Sequence, residues 1–287
     1  CYHGHTDSLL VKAGSGLAGV AASSSAGVND ETAFQTLTLP LDNEQMLGEI
    51  FHREGKNIAA VILEPLPANY GLLVQRKEFL QQVASIAKQH GALLIFDEVI
   101  SGFRVALGGM AEVLDIKPDL VTYGKIIGGG FPVGCYGGRE DLMNLVAPLG
   151  PVYQAGTLSG NPIGMVAGLE TLKKMERLSG WKVLNHRTEN FAKKLNENFQ
   201  KKNNGLIVDQ YASLFWIRKN NSDSKPLRSV ESISPEQGSL FKNLFIKCLD
   251  AGVYLAPNAY EVGFVSMAHT DEILNDTINI ITKASEI

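Results

Sequence analysis

Ala92-Leu93-Leu94-Ile95-Phe96-Asp97-Glu98 is an apolar run that ends abruptly in two carboxylates. So short and continuous a run, entered through Gly91, reads as a strand buried on both faces. Just upstream, residues 76–90 carry Phe79, Leu80, Val83, Ile86 and Ala87 at helical spacing, with Gly91 as the stop. Before that helix, residues 58–63 (IAAVIL) form a second buried strand, ended by Glu64-Pro65. Strand, helix and strand in succession make a right-handed crossover and hence a parallel sheet. Downstream, residues 119–122 follow the Pro118 break as another strand, and residues 132–136 read as a fourth. The fold class is therefore α/β with a mostly parallel sheet. In open sheets of this kind ligands gather outside the carboxyl ends of the strands. Glu64, Asp97 and Lys125 each fall just after such an end.

Further out the pattern changes. Residues 161–176 form an amphipathic helix through Ile163, Val166, Ala167, Leu169 and Leu172, and residues 181–203 are a second, highly charged helical stretch. Short strands (206–208, 214–217), a polar excursion (219–238), a helix to Ala251 and a last helix from Thr270 complete the chain. This places a boundary near residue 170, with a large domain over 1–170 and a smaller α+β domain over 171–287. Toward the amino end, residues 6–30 are rich in Gly, Ser and Ala without a sustained period, which reads as a long loop of the lid or binding kind.

Composition narrows the function classes. The 287 residues are 45% hydrophobic and 20% charged, enough to bury a sizeable core. The net charge is −4 and no Lys/Arg run could track a phosphate backbone, so nucleic acid is not an expected partner. No apolar stretch approaches a bilayer span. Cys1, Cys135 and Cys248 are too scattered for a zinc or redox motif and fit reduced thiols in a cytoplasmic setting. The chain opens on Cys1 rather than Met, with chemistry-bearing residues at once in Tyr2-His3-Gly4-His5, so the expectation is that upstream sequence is missing.

Lys125, in Thr122-Tyr123-Gly124-Lys125 before three glycines, and Asp97 lie at neighbouring strand ends. A crowded apolar site lowers an amine's pKa and so favours Schiff-base chemistry. A carboxylate beside it could hold a pyridinium nitrogen protonated, which preserves the electron sink of pyridoxal phosphate. The same strand end also suits the magnesium-binding strand of a P-loop ATPase, but that class needs a G-x-x-x-x-G-K-[ST] loop and the chain has none. Residues 156–162 (GTLSGNP) place hydroxyls and free N–H groups ahead of a helix, as an anion site or as simple capping by Ser159 or Asn161. Tyr2 can stack on a flat cofactor or pack in the core, and His3 with His5 lacks a third ligand for a metal. Asn69, in a loop after Glu64, either turns the chain or bonds a phenolic oxygen. Glu261 is a surface turn residue or a site carboxylate.

Taken in order, CYHGHTDSLLVKAGSG, AAVILEPLPANYG, LLIFDEVISGFR, YGKIIGGGFPVGCYGGR, GTLSGNP and YLAPNAYEVGFVSMAHTDE make the chain closely resemble the class III aminotransferase family, which has the type I pyridoxal-phosphate-dependent transferase fold, and within it the aminomutases. The resemblance is weakest over residues 177–239. It implies pyridoxal 5′-phosphate, cycling through its pyridoxamine form, with Lys125 as the Schiff-base lysine and proton shuttle and Asp97 on the pyridine nitrogen. Val99 and Tyr2 would hold the two ring faces and Asn69 would lie near the phenolic oxygen. Thr157 would reach the phosphate of the neighbouring subunit, which implies a homodimer. Ser15 would belong to a gate over the substrate and Glu261 would lie near the substrate end. The implied reaction converts the small amino aldehyde (S)-4-amino-5-oxopentanoate to 5-aminolevulinate, the tetrapyrrole (porphyrin) precursor. An ω-aminotransferase of the same family, or a truncated non-catalytic remnant, are the alternatives. Family members carry a segment ahead of Tyr2 that cradles the cofactor phosphate within the same subunit, so the chain alone is expected to be poorly active.

Overall fold

The computed structural model describes residues 1–13, 21–221 and 226–286. In chain order it contains strands β1 (Val11–Ala13) and β2 (Ala21–Ser23), helices α1 (Asp30–Ala33) and α2 (Glu44–Glu54), then β3 (Ala60–Leu63), α3 (Lys77–Gln89), β4 (Leu93–Asp97), α4 (Gly109–Leu114) and β5 (Leu120–Tyr123). There follow β6 (Cys135–Gly138), α5 (Glu140–Met143), α6 (Pro162–Arg177), α7 (Gly180–Lys202), β7 (Leu206–Tyr211), β8 (Leu214–Lys219), α8 (Gln237–Asp250), β9 (Gly263–Phe264) and α9 (Asp271–Ala284).

The central sheet runs β3-β4-β5-β6. The first three strands are parallel, with Leu63 beside Phe96 and Asp97 beside Thr122. This is the α/β arrangement that the strand, helix and strand pattern predicts. The fourth strand differs from expectation. It lies at Cys135–Gly138 rather than 132–136 and runs antiparallel to β5, with Tyr123 opposite Cys135. Pro132 has no N–H for a ladder, and the chain turns back through Gly130 at φ +99°, so pairing begins only after both. The expected loop over 6–30 is corrected as well. A turn of 3-10 helix (Asp7–Leu9) and the antiparallel β1-β2 ribbon occupy part of it. Strands of three residues are too short to leave a readable period.

α3 buries Phe79, Leu80, Val83 and Ala87 against the sheet, while β4 contributes Leu94 and fully buried Phe96. Burial of one such side chain contributes about 2–3 kcal/mol. A second cluster is built by α7, β7, β8, α8 and α9 around Leu195, Phe199, Leu244 and Ile281. The two clusters meet on β8, where Leu214 and Trp216 face the first and Phe215 and Ile217 the second, as strand alternation requires.

Trp216 then ties two loops together. Its Nε1 donates to the Ala259 carbonyl at 2.9 Å, and its ring leaves no room for a side chain at Gly71, where a Cβ would come within 2.8 Å. Gly71, at φ +81°, in turn donates its N–H to the Tyr260 carbonyl at 2.6 Å. Tyr70 and Tyr260 stack with centroids 4.2 Å apart. The loop after β3, which carries Asn69, is thereby joined to the loop before β9, which carries Glu261.

Candidate active site

Asp97 closes β4 and is almost wholly buried, so its charge needs partners. It has them. His3 Nδ1 lies 2.7 Å from Oδ2, and the Val99 N–H donates to Oδ1 at 3.0 Å. Burial by itself would raise the Asp97 pKa, but His3 and the Val99 amide outweigh it and hold the carboxyl below its ordinary value. The Thr122 hydroxyl, in register on β5, stands close enough to add to this effect yet is buried without a hydrogen bond of its own.

Glu98, next in the chain, meets a different environment. It is fully buried and accepts hydrogen bonds from Ser101 Oγ (2.8 Å) and from the N–H groups of Met110 (2.7 Å) and Ala111 (2.9 Å) at the start of α4. Burial pushes its pKa up despite them. Its oxygens are spent on holding α4, which removes the magnesium-site reading of the Asp-Glu pair. Among the described residues no group of three His, Cys, Asp or Glu side chains could hold a metal ion.

Lys125 opens a 3-10 turn, Lys125–Gly128, directly after β5 and adopts φ +48°. A left-handed conformation costs a non-glycine residue about 1–2 kcal/mol, and packing must impose it. α6 does so: a Cβ on Gly168 would collide with the Ile127 carbonyl, so this glycine lets helix and turn touch backbone to backbone. Lys125 is exposed as a residue, yet partial burial of its charged group lowers the pKa, with Arg104 acting in the same sense and Asp97, Glu64 and Glu261 opposing. Each of those groups therefore lies within electrostatic reach of Lys125.

Glu64, buried at the end of β3, organises the near wall. One oxygen accepts from the Tyr2 N–H at 2.9 Å and the other from the Ala68 N–H at 3.0 Å. Tyr2 is thus anchored by its backbone with its side chain half exposed, and Asn69 follows Ala68 in the same clamped loop. Val99 packs its methyls toward Gly124, where a Cβ would stand 3.3 Å from Cγ1. Glu261 is exposed and close enough to act on Lys125. The structure therefore brings Tyr2, Asn69, Asp97, Val99, Lys125 and Glu261 toward one corner. Thr157 is not part of it: the whole of 151–160 is exposed, and Asn161 caps α6, accepting from the Gly164 N–H at 2.8 Å. Ser15 lies outside the described residues.

Sequence reasoning missed His3 as the partner of Asp97, and missed Thr122 and Arg104; Glu64 it placed at a strand end without giving it a role. The usable signal for the first was physical: a carboxylate closing an apolar strand must be partnered, and His3 and His5 are chemistry-bearing groups without another role.

Residues 1–281 match the model of the family described as aminotransferase class-III. The chain belongs to this family. Its sequence is 65% identical over 286 residues to a protein of Bdellovibrio bacteriovorus named glutamate-1-semialdehyde 2,1-aminomutase, covering 100% of this chain and 67% of that one. A protein of the same name from Leptospira interrogans is 56% identical over 287 residues, covering 99% and 64%. The chain thus spans about two thirds of the length of these relatives. Among solved structures, an omega-transaminase from Sphaerobacter thermophilus superposes with a TM-score of 0.91 at 28% identity, covering 100% of this chain and 66% of that one. A glutamate-1-semialdehyde aminomutase from Pseudomonas aeruginosa in complex with PMP has a TM-score of 0.84 at 18% identity, covering 99% and 63%, a likeness of fold.

The residues of this class III aminotransferase suit pyridoxal 5′-phosphate. The donor set is an anionic carboxylate for a ring nitrogen, a lysine of lowered pKa for an aldehyde, and a buried hydroxyl left without a partner beside them. Gly124 has no side chain, and Val99 packs a methyl close against its backbone, 3.3 Å from where a Cβ would stand.

Proposed function

We propose that this chain carries the cofactor site and much of the substrate site of an intramolecular amino transfer, (S)-4-amino-5-oxopentanoate to 5-aminolevulinate, in tetrapyrrole biosynthesis. The observation that carries the reading is the 65% identity to a named aminomutase along the whole chain, with Lys125 and Asp97 in place at adjoining strand ends. When bound, pyridoxamine or pyridoxal phosphate lends an amino group and an electron sink. Asp97 keeps a proton on the ring nitrogen, because its own pKa is held low by His3. Lys125 Nζ takes and returns protons at the substrate carbons, and its lowered pKa leaves part of it in the free-amine form that proton abstraction needs. Val99 and Tyr2 would hold the faces of the bound ring and Asn69 would bond its phenolic oxygen. The aldehyde carbon gains an amine, giving 4,5-diaminovalerate, and the other amine is then withdrawn. A gate that includes Ser15 retains this diamine, with Glu261 near its far end.

The same reading takes residues 1–170 as the cofactor-binding domain and 171–287 as the smaller domain, places the enzyme in the cytoplasm, and makes it a homodimer in which Thr157 reaches the phosphate held by the other subunit. Among the described residues no helix is long and apolar enough to cross a membrane. Exposed Leu149, Tyr153 and Leu158 flank Thr157 and give a second copy apolar surface to cover.

The 0.91 TM-score to an omega-transaminase favours a second reading, exchange of amines between two substrates. One experiment separates them. Holoenzyme supplied with (S)-4-amino-5-oxopentanoate alone should form 5-aminolevulinate; an absolute requirement for a second amine or keto acid establishes the transaminase.

A further inference from the structure

Lys125 sits between two contacts made by one helical hairpin. α6 and α7 are joined by Leu178 and Ser179 alone, and Gly180 packs its backbone on Met175, where a Cβ would fall 2.6 Å from Sδ, so the two helices hold each other in place. On the far side of Lys125, α6 presses on the turn that follows it: Gly168 meets the Ile127 carbonyl, and a Cβ on Gly129 would run into the Ala167 carbonyl. On the near side, α7 reaches the same segment less directly. The Trp181 Nε1–H donates to the Phe103 carbonyl at 2.9 Å, and no other hydrogen bond to that carbonyl occurs among the described residues. Phe103 adopts φ +55°, a left-handed conformation that an aromatic residue keeps only where its surroundings impose it. In that conformation its ring lies on Tyr123, with centroids 5.1 Å apart and planes at 52°. Gly102 allows the approach, since a Cβ there would stand 2.5 Å from Tyr123 Cδ1.

Tyr123 ends β5, and only Gly124, with no side chain to brace it, separates it from Lys125. The lysine's own φ of +48° shows that its backbone too is held from outside. The α6 contacts fix the chain after the lysine, and the contacts through Trp181, Phe103 and Tyr123 fix the chain before it. We propose that Trp181 is a positioning residue for Lys125: its indole N–H keeps Phe103 left-handed, Phe103 keeps Tyr123 seated, and the amine is thereby aimed at the corner. This rests on the reading of Lys125 as the amine that carries protons, and it gives the α6–α7 hairpin a share in the chemistry.

The test uses the full chain, with and without pyridoxal phosphate, and three variants: Trp181→Phe, which keeps a ring and loses the N–H, Phe103→Leu, which keeps the carbonyl and loses the ring, and the double variant. Without cofactor, amide exchange over residues 120–130 should quicken about tenfold in either single variant and stay as it was over β7 and β8. Brief acetylation across a range of pH, read at Lys125 by peptide mass, should show the midpoint of the amine moving up toward that of an ordinary lysine, although Asp97, Glu64, Glu261 and Arg104 are all untouched. With cofactor, kcat for amino transfer should fall about tenfold and KM change by no more than about threefold. The double variant should match the worse single one in each measurement, as a single line of contacts requires. Additive losses, an unmoved Lys125 midpoint, or exchange that quickens throughout the chain would each overturn the proposal and leave Trp181 as a packing residue. Cofactor reduced onto another lysine would overturn the reading of Lys125 instead, and the exchange and acetylation results stand apart from it.

Discussion

The corner formed by the ends of β3, β4 and β5 and the segment from Leu145 to Leu169 are handled by the chain in opposite ways. In the corner the buried carboxylates are spoken for: Asp97 by His3 and Val99, Glu98 by α4, Glu64 by Tyr2 and Ala68. Along the segment apolar side chains stand in the open, with Leu149 77% exposed, Tyr153 85% and Leu158 72%. A polar group must be satisfied within the fold or it destabilises it, whereas an apolar one can wait for a covering surface. The buried carboxylates of the corner are therefore satisfied within the fold, whereas the segment leaves apolar side chains that no described residue covers.

The most severe way to break the corner is Lys125→Ala. Amino transfer should fall by about a thousandfold or more, the scale of a lost proton-transfer group. Borohydride should fix pyridoxal phosphate to Lys125 in the parent protein and to no residue in the variant, checked by peptide mass mapping. A reduced adduct on another lysine would remove Lys125 from the site.

His3→Ala sharpens the same corner through pH. The Asp97 pKa lies below its ordinary value, so the anion is present above the usual carboxylate range and is lost as pH falls through the lowered pKa. Without His3 the burial effect is less opposed and the pKa rises. The acid limb of the pH–rate profile should then move to higher pH, and a profile that stays in place would show that His3 does not tune Asp97.

A smaller effect is expected from Glu98→Gln, which touches structure and not chemistry. An amide cannot accept from the Met110 and Ala111 N–H groups with both of its ends, so the loss should be about 1–3 kcal/mol in denaturant unfolding. Turnover per folded molecule should persist. Turnover lost without any loss of stability would give Glu98 a chemical role.

Least of all in stability, Tyr153→Ser with Leu158→Ser should alter unfolding by no more than about 0.5 kcal/mol, since both are exposed. Association should weaken, measured by sedimentation, and with it the affinity for pyridoxal phosphate. An unchanged association state would detach this segment from the proposed homodimer.

Much of this could be read without coordinates because strong local signals and function coincide at strand ends. Phe79, Leu80, Val83 and Ala87 announce α3 by spacing, and Asp97 and Lys125 announce themselves by ending apolar runs. β6 was misplaced because Pro132 and its neighbours have strand-like composition while the geometry of Gly130 decides where pairing starts. His3 and Arg104 were illegible for a different reason. Their meaning is a distance, 2.7 Å to Asp97 and 4.2 Å to Phe264, between segments far apart in the chain. No local period encodes such a meeting.

The Trp216 staple bears on how new substrate ranges could be built into this scaffold. Because Gly71 is bonded to Tyr260 and Trp216 to Ala259, the loops over 64–73 and 257–262 behave as one part. A library that varies residues around Glu261 alone will shift Asn69 through the shared Gly71 contact, and its hits will mix altered selectivity with a disturbed ring pocket. Exchanging both loops together, with Trp216 retained, is the transplant that keeps the two effects apart.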